Sequence, residues 1–223
     1  MFRIITIERE YGSGAASIAA HLAQHLNWKL WDHLLTEEIA RVAQVDPSAV
    51  TRCDERVDTT LQRLSRTFWR GSYERGWALG GHIFDTDRMV STMQAVMNRI
   101  GQEGNAVIVG RGAPYFLREN ASAFHVFLYA PRAEKLRRII AEGHQSEEAE
   151  DLVDSVDRER RAYVKHYFNA DWPTRSLYHM MLNTAVGNEA VVRTILNTMQ
   201  VVQGGPKATD FEQPKTPTPI PIR

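Results

Sequence analysis

Two closely spaced glycines near the start of the chain have the setting of a phosphate-binding turn. Gly12 and Gly14 flank Ser13. The turn lies between an apolar run rich in β-branched residues, Ile4–Ile7, and an alanine-rich stretch with helical periodicity, Ala15–Leu26. A turn from a strand into a helix leaves backbone N–H groups unpaired at the helix start, where the helix dipole favours negative charge. The chemistry indicated is phosphate binding, and an ordinary connecting turn is the alternative.

The same turn matches the phosphate-loop motif G-x-x-x-x-G-K-[ST] only in part. Gly14 aligns with the last glycine of the motif and Arg9 with the first, so that Ala15 and Ala16 replace the lysine and the hydroxyl residue. The cation that reaches the transferred phosphate and the hydroxyl that holds magnesium are therefore missing from their usual places. We expect a cradle of backbone donors, and we expect Arg9 to supply some of the missing charge.

The composition is that of a globular protein with balanced charges. Its 223 residues include 27 Lys and Arg against 27 Asp and Glu, and this balance gives no support for binding to nucleic acid or to an anionic membrane. The single cysteine, Cys53, cannot form an intramolecular disulfide, and no apolar run is long enough to span a bilayer. The chain also enters a strand with no charged leader before it, and we therefore expect a cytoplasmic protein.

Further apolar runs predict four more strands, and segments with helical periodicity separate them. These runs are Trp28–Trp31, Ala106–Val109, Phe124–Tyr129 and Tyr178–Leu182. The alternation predicts an α/β fold, a parallel sheet flanked by helices with right-handed crossovers. We expect one domain over residues 1–203, with a helical insert at about 46–104, and a flexible proline-rich tail over residues 204–223.

Charged residues follow two of these strands, at the sheet edge where ligands bind in parallel α/β folds. Asp32 comes directly after the second strand and could bind a ligand or cap the next helix. Arg111 follows the third strand, between two glycines, and its guanidinium offers phosphate a planar fork of donors; a surface ion pair is the alternative. A stretch of arginines and aromatic residues, Arg56–Trp77, could bind substrate or form the contact of a homodimer; a solvated helix with a partly buried aromatic face is the alternative.

Four landmarks in order, REYGSG, AVIVGRGAPYFL, FHVFLYAPRAEKLRRI and an arginine-rich segment leading to YHMMLNT, resemble the nucleoside monophosphate kinases of the P-loop fold. The resemblance is closest to the cytidylate kinase-like family, in which a REYGSG or REFGSG loop replaces the lysine-bearing one. It extends over roughly residues 2–202. It implies a three-layer P-loop NTPase fold with a helical region that binds the monophosphate and a lid-like segment at about 143–170.

The resemblance also implies an activity, the transfer of the γ-phosphoryl group of ATP, with Mg²⁺, to CMP, dCMP or a related acceptor. In the family a strand ends in a Gly-Arg-Asp motif whose arginine grips the monophosphate. Gly110 and Arg111 match this motif, and Gly112 replaces the aspartate. Arg111 would accordingly hold the acceptor phosphate, and Asp32 is a second candidate on the acceptor side.

Two further sets of residues take implied roles on the donor side. The lid of the family carries arginines that cover the phosphates, and Arg158 and Arg161 are the closest matches on one helical face, whereas Arg160 points elsewhere if this segment is helical. A solvated helix with Asp157 and Glu159 as local partners is the alternative for both. Backbone donors of the loop would cradle the donor phosphates: Gly12, Ser13, Gly14, Ala15, Ala16 and Ser17.

Two other functions stay open on the sequence alone. The three missing groups at Ala15, Ala16 and Gly112 favour a module that binds a nucleotide or another phosphorylated ligand without transferring phosphate. Alternatively the chain is a kinase for a different small-molecule acceptor, since a fold does not fix its substrate. Arg111 and the arginine-rich lid favour an enzyme, and a small-molecule nucleotide is the expected partner.

Overall fold

A computed structural model of the chain describes residues 1–43 and 86–204. Five parallel strands form one sheet in the order β2-β3-β1-β4-β5. The strands are β1 (Ile4–Arg9), β2 (Lys29–Trp31), β3 (Ala106–Val109), β4 (Ala123–Tyr129) and β5 (Met180–Asn183). The described helices are α1 (Ala15–Leu26), α2 (His33–Ala43), α3 (Thr86–Glu103), α4 (Ala113–Phe116), α5 (Arg132–Ala141), α6 (Ser146–Phe168) and α7 (Asn188–Gln203).

The helices cover both faces of the sheet and produce three layers. Along β1, Ile5 and Ile7 pack with α1 and α7 on one face, while Ile4 packs with α2, α3 and α6 on the other. The two packed clusters are built from apolar side chains, and β1 and β3 are buried throughout, as expected for strands covered by helices on both sides. A smaller cluster joins α5 to α6 through Ile139, Val153 and neighbouring residues.

The predicted α/β fold with a parallel sheet and flanking helices is confirmed. The strand limits move by one to two residues, as at β5, which spans Met180–Asn183 instead of Tyr178–Leu182. The segment expected to be lid-like contains α6, a single helix of 23 residues. None of the helices in residues 1–43 and 86–204 is long and apolar enough to cross a bilayer.

Several expectations fall outside the described residues. The first part of the predicted insert, including Arg56–Trp77, lies within residues 44–85, and nearly all of the proline-rich tail lies within residues 205–223. The division into one domain and a tail therefore stays a prediction.

Candidate phosphate-binding site

Three of the predicted site residues lie at the carboxyl edge of the sheet because all five strands run in the same direction. Arg9 ends β1, Asp32 follows β2 and Arg111 follows β3. Since β1 lies next to β3, the side chains of Arg9 and Arg111 are close enough for their charges to interact, and the charge of Asp32 also acts on Arg111.

The loop between β1 and α1 has the backbone geometry of a glycine turn. Gly12 and Gly14 both have positive φ, 70° and 76°, and no side chain caps the start of α1. The hydroxyl of Ser13 is buried and has no hydrogen-bond partner in the described part of the chain. Ala15 is buried and Ala16 is exposed, and the loop therefore presents backbone donors with no cation of its own at these two positions.

Ser17, in the first turn of α1, has its side-chain contact with α7. Its exposed hydroxyl accepts a hydrogen bond of 3.2 Å from the side-chain amide of Asn188 on α7.

Arg111 is the most constrained of the predicted residues. Its φ is 59°, and it stands between Gly110 and Gly112, which are also left-handed. An arginine in this conformation costs about 1–2 kcal/mol, so the surrounding structure must hold it there. The side chain is only 3% exposed, and burial together with the nearby charge of Arg9 lowers its pKa to about 9.

Arg9 crosses the strand end directly over Gly110. A Cβ added to Gly110 would lie 1.8 Å from Nη1 of Arg9, and only glycine leaves room for this guanidinium. The same nitrogen lies 3.8 Å from a carboxylate oxygen of Glu8, whose side chain is buried. Burial raises the pKa of Glu8, and the charges of Arg9 and Arg160 act in the opposite direction.

Arg160 is a third buried arginine at this edge, and it lies on a different face of α6 from Arg158 and Arg161, as the helical spacing predicted. The family resemblance assigned the role beside the phosphates to Arg158 and Arg161, but it is Nη1 of Arg160 that donates to the carbonyl oxygen of Arg9, over 3.0 Å. The physical reason is the position of Arg160 on the packed stripe of α6, one turn after Val156. Burial and the charge of Arg9 lower the pKa of Arg160 to about 10.

Arg158 and Arg161 lie on the other side of α6. Both side chains are exposed, and no hydrogen bond joins either of them to the loop among the described residues. Their role as lid arginines stays a prediction.

Gly112, which stands where the related motif has an aspartate, is closed off by an aromatic ring. A Cβ at Gly112 would lie 2.9 Å from the ring of Phe168, and Phe168 stacks on Tyr115 with ring centroids 4.6 Å apart. The space that an aspartate side chain would need is thus filled.

Two polar residues that sequence reasoning missed, Asp157 and Lys135, hold the first half of the loop. Asp157 of α6 accepts a hydrogen bond from the backbone N–H of Tyr11 over 2.8 Å. Lys135 of α5 bonds the carboxylate of Glu10 over 2.9 Å and lies 3.5 Å from that of Asp157. The spacing of Asp157 and Arg160 along one helical face, with Val153 and Val156, was the signal that could have identified the two α6 residues.

Among the described residues, no group of three or more His, Cys, Asp or Glu side chains is placed to hold a metal ion. A kinase usually holds Mg²⁺ through one or two carboxylates together with substrate phosphates, so such a group is not required for Mg²⁺.

The fold is that of the P-loop kinases. An uncharacterized protein from Eubacterium ventriosum ATCC 27560 matches with a TM-score of 0.64 at 19% identity, over 90% of this chain and 99% of that one. Shikimate kinase from Acinetobacter baumannii, solved in complex with shikimate, matches with a TM-score of 0.51 at 16% identity, over 93% and 97% of the two chains. The YorR protein from Bacillus subtilis, in complex with phosphorylated GDP, matches with a TM-score of 0.50 at 11% identity, over 92% and 99%.

The chain belongs to the cytidylate kinase-like family, whose model matches residues 4–186. No curated protein matches the sequence. As a member of this family with this fold, the protein is a phosphotransferase of the nucleotide and small-molecule kinase class.

Proposed function

We propose that the protein transfers the γ-phosphoryl group of ATP to a nucleoside monophosphate, CMP, dCMP or a related acceptor. One observation carries this proposal: three buried arginines, Arg9, Arg111 and Arg160, converge at the carboxyl edge of the sheet, with two buried carboxylates, those of Glu8 and Asp157, beside them. Family membership supports the same class of reaction.

The charge balance of this cluster favours a phosphate ligand. Burial, and then the charge of Arg9, lower the pKa of both Arg111 and Arg160, because a buried guanidinium loses its hydration and like charges in a buried site repel each other. A doubly charged phosphate would offset the excess positive charge, and guanidinium groups bind phosphate oxygens through paired N–H donors. Arg111 would hold the acceptor phosphate, with Asp32 near it, and Arg9 and Arg160 would lie between the acceptor and the loop.

The donor phosphates would lie against the loop. Backbone N–H groups from Gly12 to Ser17 would bind them, with the negative charge near the start of α1. Mg²⁺ would be held largely through the phosphate oxygens and would neutralise their charge.

In the reaction an acceptor phosphate oxygen forms a bond to the γ-phosphorus, and the bond from that phosphorus to the β,γ-bridging oxygen breaks. ADP leaves with the electron pair. Arginines that hold both phosphates in line would supply position and charge stabilisation, which dominate catalysis of this reaction. Arg158 and Arg161 would join them only if α6 changes its orientation, since both side chains are exposed.

A second candidate is a kinase for a different small acceptor. The observation that favours it is the ring of Phe168 against Gly112. Gly112 lacks the carboxylate of the related motif, and the ring fills the space that this carboxylate would need. The carboxylate of Asp32, near Arg111, would then be available to accept a proton from an acceptor hydroxyl.

The proposal includes a cytoplasmic location and free nucleotides as the partners. A single cysteine and the balanced charge of the chain support it. Sedimentation of the purified protein tests whether it also forms a homodimer.

The test is ADP release from Mg-ATP with CMP, dCMP, UMP, AMP and GMP in turn, and then with nucleosides and polyols. We expect turnover with CMP or dCMP, and Arg111→Ala should lower kcat/KM by about a hundredfold or more. Arg118→Ala is the matched control, because Arg118 is an exposed arginine seven positions further along the chain. Turnover with hydroxyl acceptors alone would establish the second candidate, and no turnover with any acceptor would reject both.

A further inference from the structure

The carboxylate of Asp157 is held by donors from three separate elements. The backbone N–H of Tyr11 donates to Oδ1 over 2.8 Å, and Nη1 of Arg160 donates to the same oxygen over 3.1 Å. Nζ of Lys135 lies 3.5 Å from Oδ2. Asp157 is only 9% exposed, and this carboxylate is therefore enclosed between the loop, α5 and α6.

These three donors, a backbone N–H, an ammonium and a guanidinium, are groups that commonly bind phosphate in proteins. Tyr11 belongs to the glycine loop, and its N–H is a backbone donor of that loop. A backbone N–H beside an ammonium and a guanidinium is an arrangement that binds phosphate oxygens as well as carboxylate oxygens. A phosphate that entered here would make the same contacts as the carboxylate does, with more negative charge to share among them.

We infer that Tyr11 N–H, Lys135 Nζ and Arg160 Nη1 form a subsite for the terminal phosphate of the donor, and that the carboxylate of Asp157 occupies this subsite until the donor displaces it. The inference rests on the proposed function in one respect, that the donor is a nucleoside triphosphate. It assigns to Lys135 the ammonium that the loop lacks at Ala15.

The contact between α5 and the loop explains how a lysine from outside the loop reaches this position. A Cβ at Gly12 would lie 3.0 Å from Cβ of Lys135, so the missing side chain of Gly12 allows α5 to lie directly against the loop. Nζ of Lys135 also bonds Oε2 of Glu10 over 2.9 Å. This second contact keeps the ammonium beside the loop when Asp157 leaves.

The experiment measures equilibrium binding of ATP and of inorganic tripolyphosphate without an acceptor, by calorimetry. Asp157→Asn keeps the shape and an acceptor oxygen but removes the competing charge, and we expect it to tighten both ligands by about threefold or more. Lys135→Gln should weaken both by about tenfold.

Two exposed residues on the same helices provide matched controls. Asp154→Asn makes the same change one turn earlier on α6, where Asp154 pairs with Arg132. Arg137→Gln removes an exposed cation of α5. Neither variant should change the affinities by more than about twofold, since neither side chain contacts the loop.

Three results would overturn the inference: wild-type affinity in Lys135→Gln, weaker binding in Asp157→Asn, or equal effects in the control variants. If Asp157→Asn does not fold, the backbone amide resonance of Tyr11 in the wild-type protein decides. It must shift on addition of tripolyphosphate, and an unmoved resonance at saturation rejects the subsite.

The binding measurements do not depend on turnover. If the affinities change as expected but the protein transfers phosphate to no acceptor, the subsite is supported and the proposed function is rejected. If CMP is phosphorylated but the variants at Asp157 and Lys135 bind ATP as the wild type does, the proposed function is supported and the subsite is rejected.

Discussion

Thr184 donates a hydrogen bond to the carbonyl oxygen of Ser13 over 2.7 Å and joins the turn after β5 to the glycine loop. Nη1 of Arg138 on α5 donates to both residues, over 2.5 Å to the same carbonyl and over 2.8 Å to the threonine hydroxyl. Gly14 lies against this guanidinium, and a Cβ there would be 3.0 Å from Nη1. The second half of the loop is therefore held by side chains from outside it.

Removal of this arginine should loosen the loop. Arg138→Ala leaves the carbonyl oxygen of Ser13 with one donor fewer, and we expect a loss of about 1–3 kcal/mol in the free energy of unfolding. ATP affinity should fall by about tenfold, because the backbone donors lose their fixed geometry. Urea unfolding and calorimetry measure the two effects. Arg137→Ala, which removes the exposed neighbouring arginine, should change little; equal effects of the two variants would show that the contact is not needed.

A side chain at Gly112 should destabilise the protein more than one at a glycine with open surroundings. Gly112 has φ of 67° and lies against Phe168, whereas Gly143 has φ of 105° and nothing within 4 Å of its Cβ position. We expect Gly143→Ala to cost about 1 kcal/mol from the backbone alone and Gly112→Ala about 2–3 kcal/mol.

The double variant Gly112→Ala, Phe168→Ala separates the steric part of this cost. It should unfold with a smaller loss than the sum of the two single variants, because removal of the ring also removes the clash. If the losses of unfolding free energy in the two single variants add up in the double variant, the cost of Gly112→Ala comes from the backbone conformation and not from the ring. Gly112→Asp, which introduces the aspartate of the related motif, should destabilise the protein for the same two reasons, the positive φ and the contact with Phe168.

The elements of the fold could be predicted because each carries its own apolar pattern. The first four residues of β1 and all of β3 form apolar runs rich in β-branched residues, and the glycines after β1 indicated the turn into α1. The position of Arg111 at the carboxyl edge of the sheet could be predicted because it follows a buried strand directly, and parallel strands bring such residues to one edge.

The contacts that hold the loop could not be predicted in the same way. Asp157 and Tyr11 are 146 positions apart, and no local pattern links them. Glu8 directly follows the apolar residues of β1, and the sequence around it does not indicate that Arg160 lies close to its carboxylate. The direction of Arg160 depends on which stripe of α6 packs inward, and the buried residues Val153, Val156 and Tyr163 determine that stripe.

Arg9 and Gly110 should act as one unit. Alanine at Gly110 cannot share space with Nη1 of Arg9, which lies 1.8 Å from the position of the added Cβ, so Gly110→Ala must displace the guanidinium. We expect Arg9→Ala and Gly110→Ala each to weaken phosphate and ATP binding, by about tenfold. The double variant should be no weaker than the stronger single variant, because both changes remove the same interaction. Calorimetry of the three variants gives the coupling, and additive losses would contradict the contact.

Buried His125 in β4 should make the protein less stable in mild acid. Its Nδ1 lies 2.7 Å from the hydroxyl of Thr6, and the ring packs near His179. Burial, and then the charge of His179, lower the pKa of His125 from 6.5 to about 4. The unfolded chain therefore binds a proton at a pH where the native state does not, and stability is lost as the pH falls from about 6.5 towards 4.

The size of the loss follows from the two pKa values. Between about pH 7.5 and pH 5 the native protein should lose about 2 kcal/mol of unfolding free energy through this residue. His125→Asn keeps an acceptor for Thr6 but cannot take up the proton, so its own loss over the same range should be smaller by about 2 kcal/mol. His21→Asn changes an exposed histidine and should follow the wild-type protein. Urea unfolding at the two pH values measures all three proteins, and parallel losses in wild type and His125→Asn would show that the pKa of His125 is the same in the native and unfolded states.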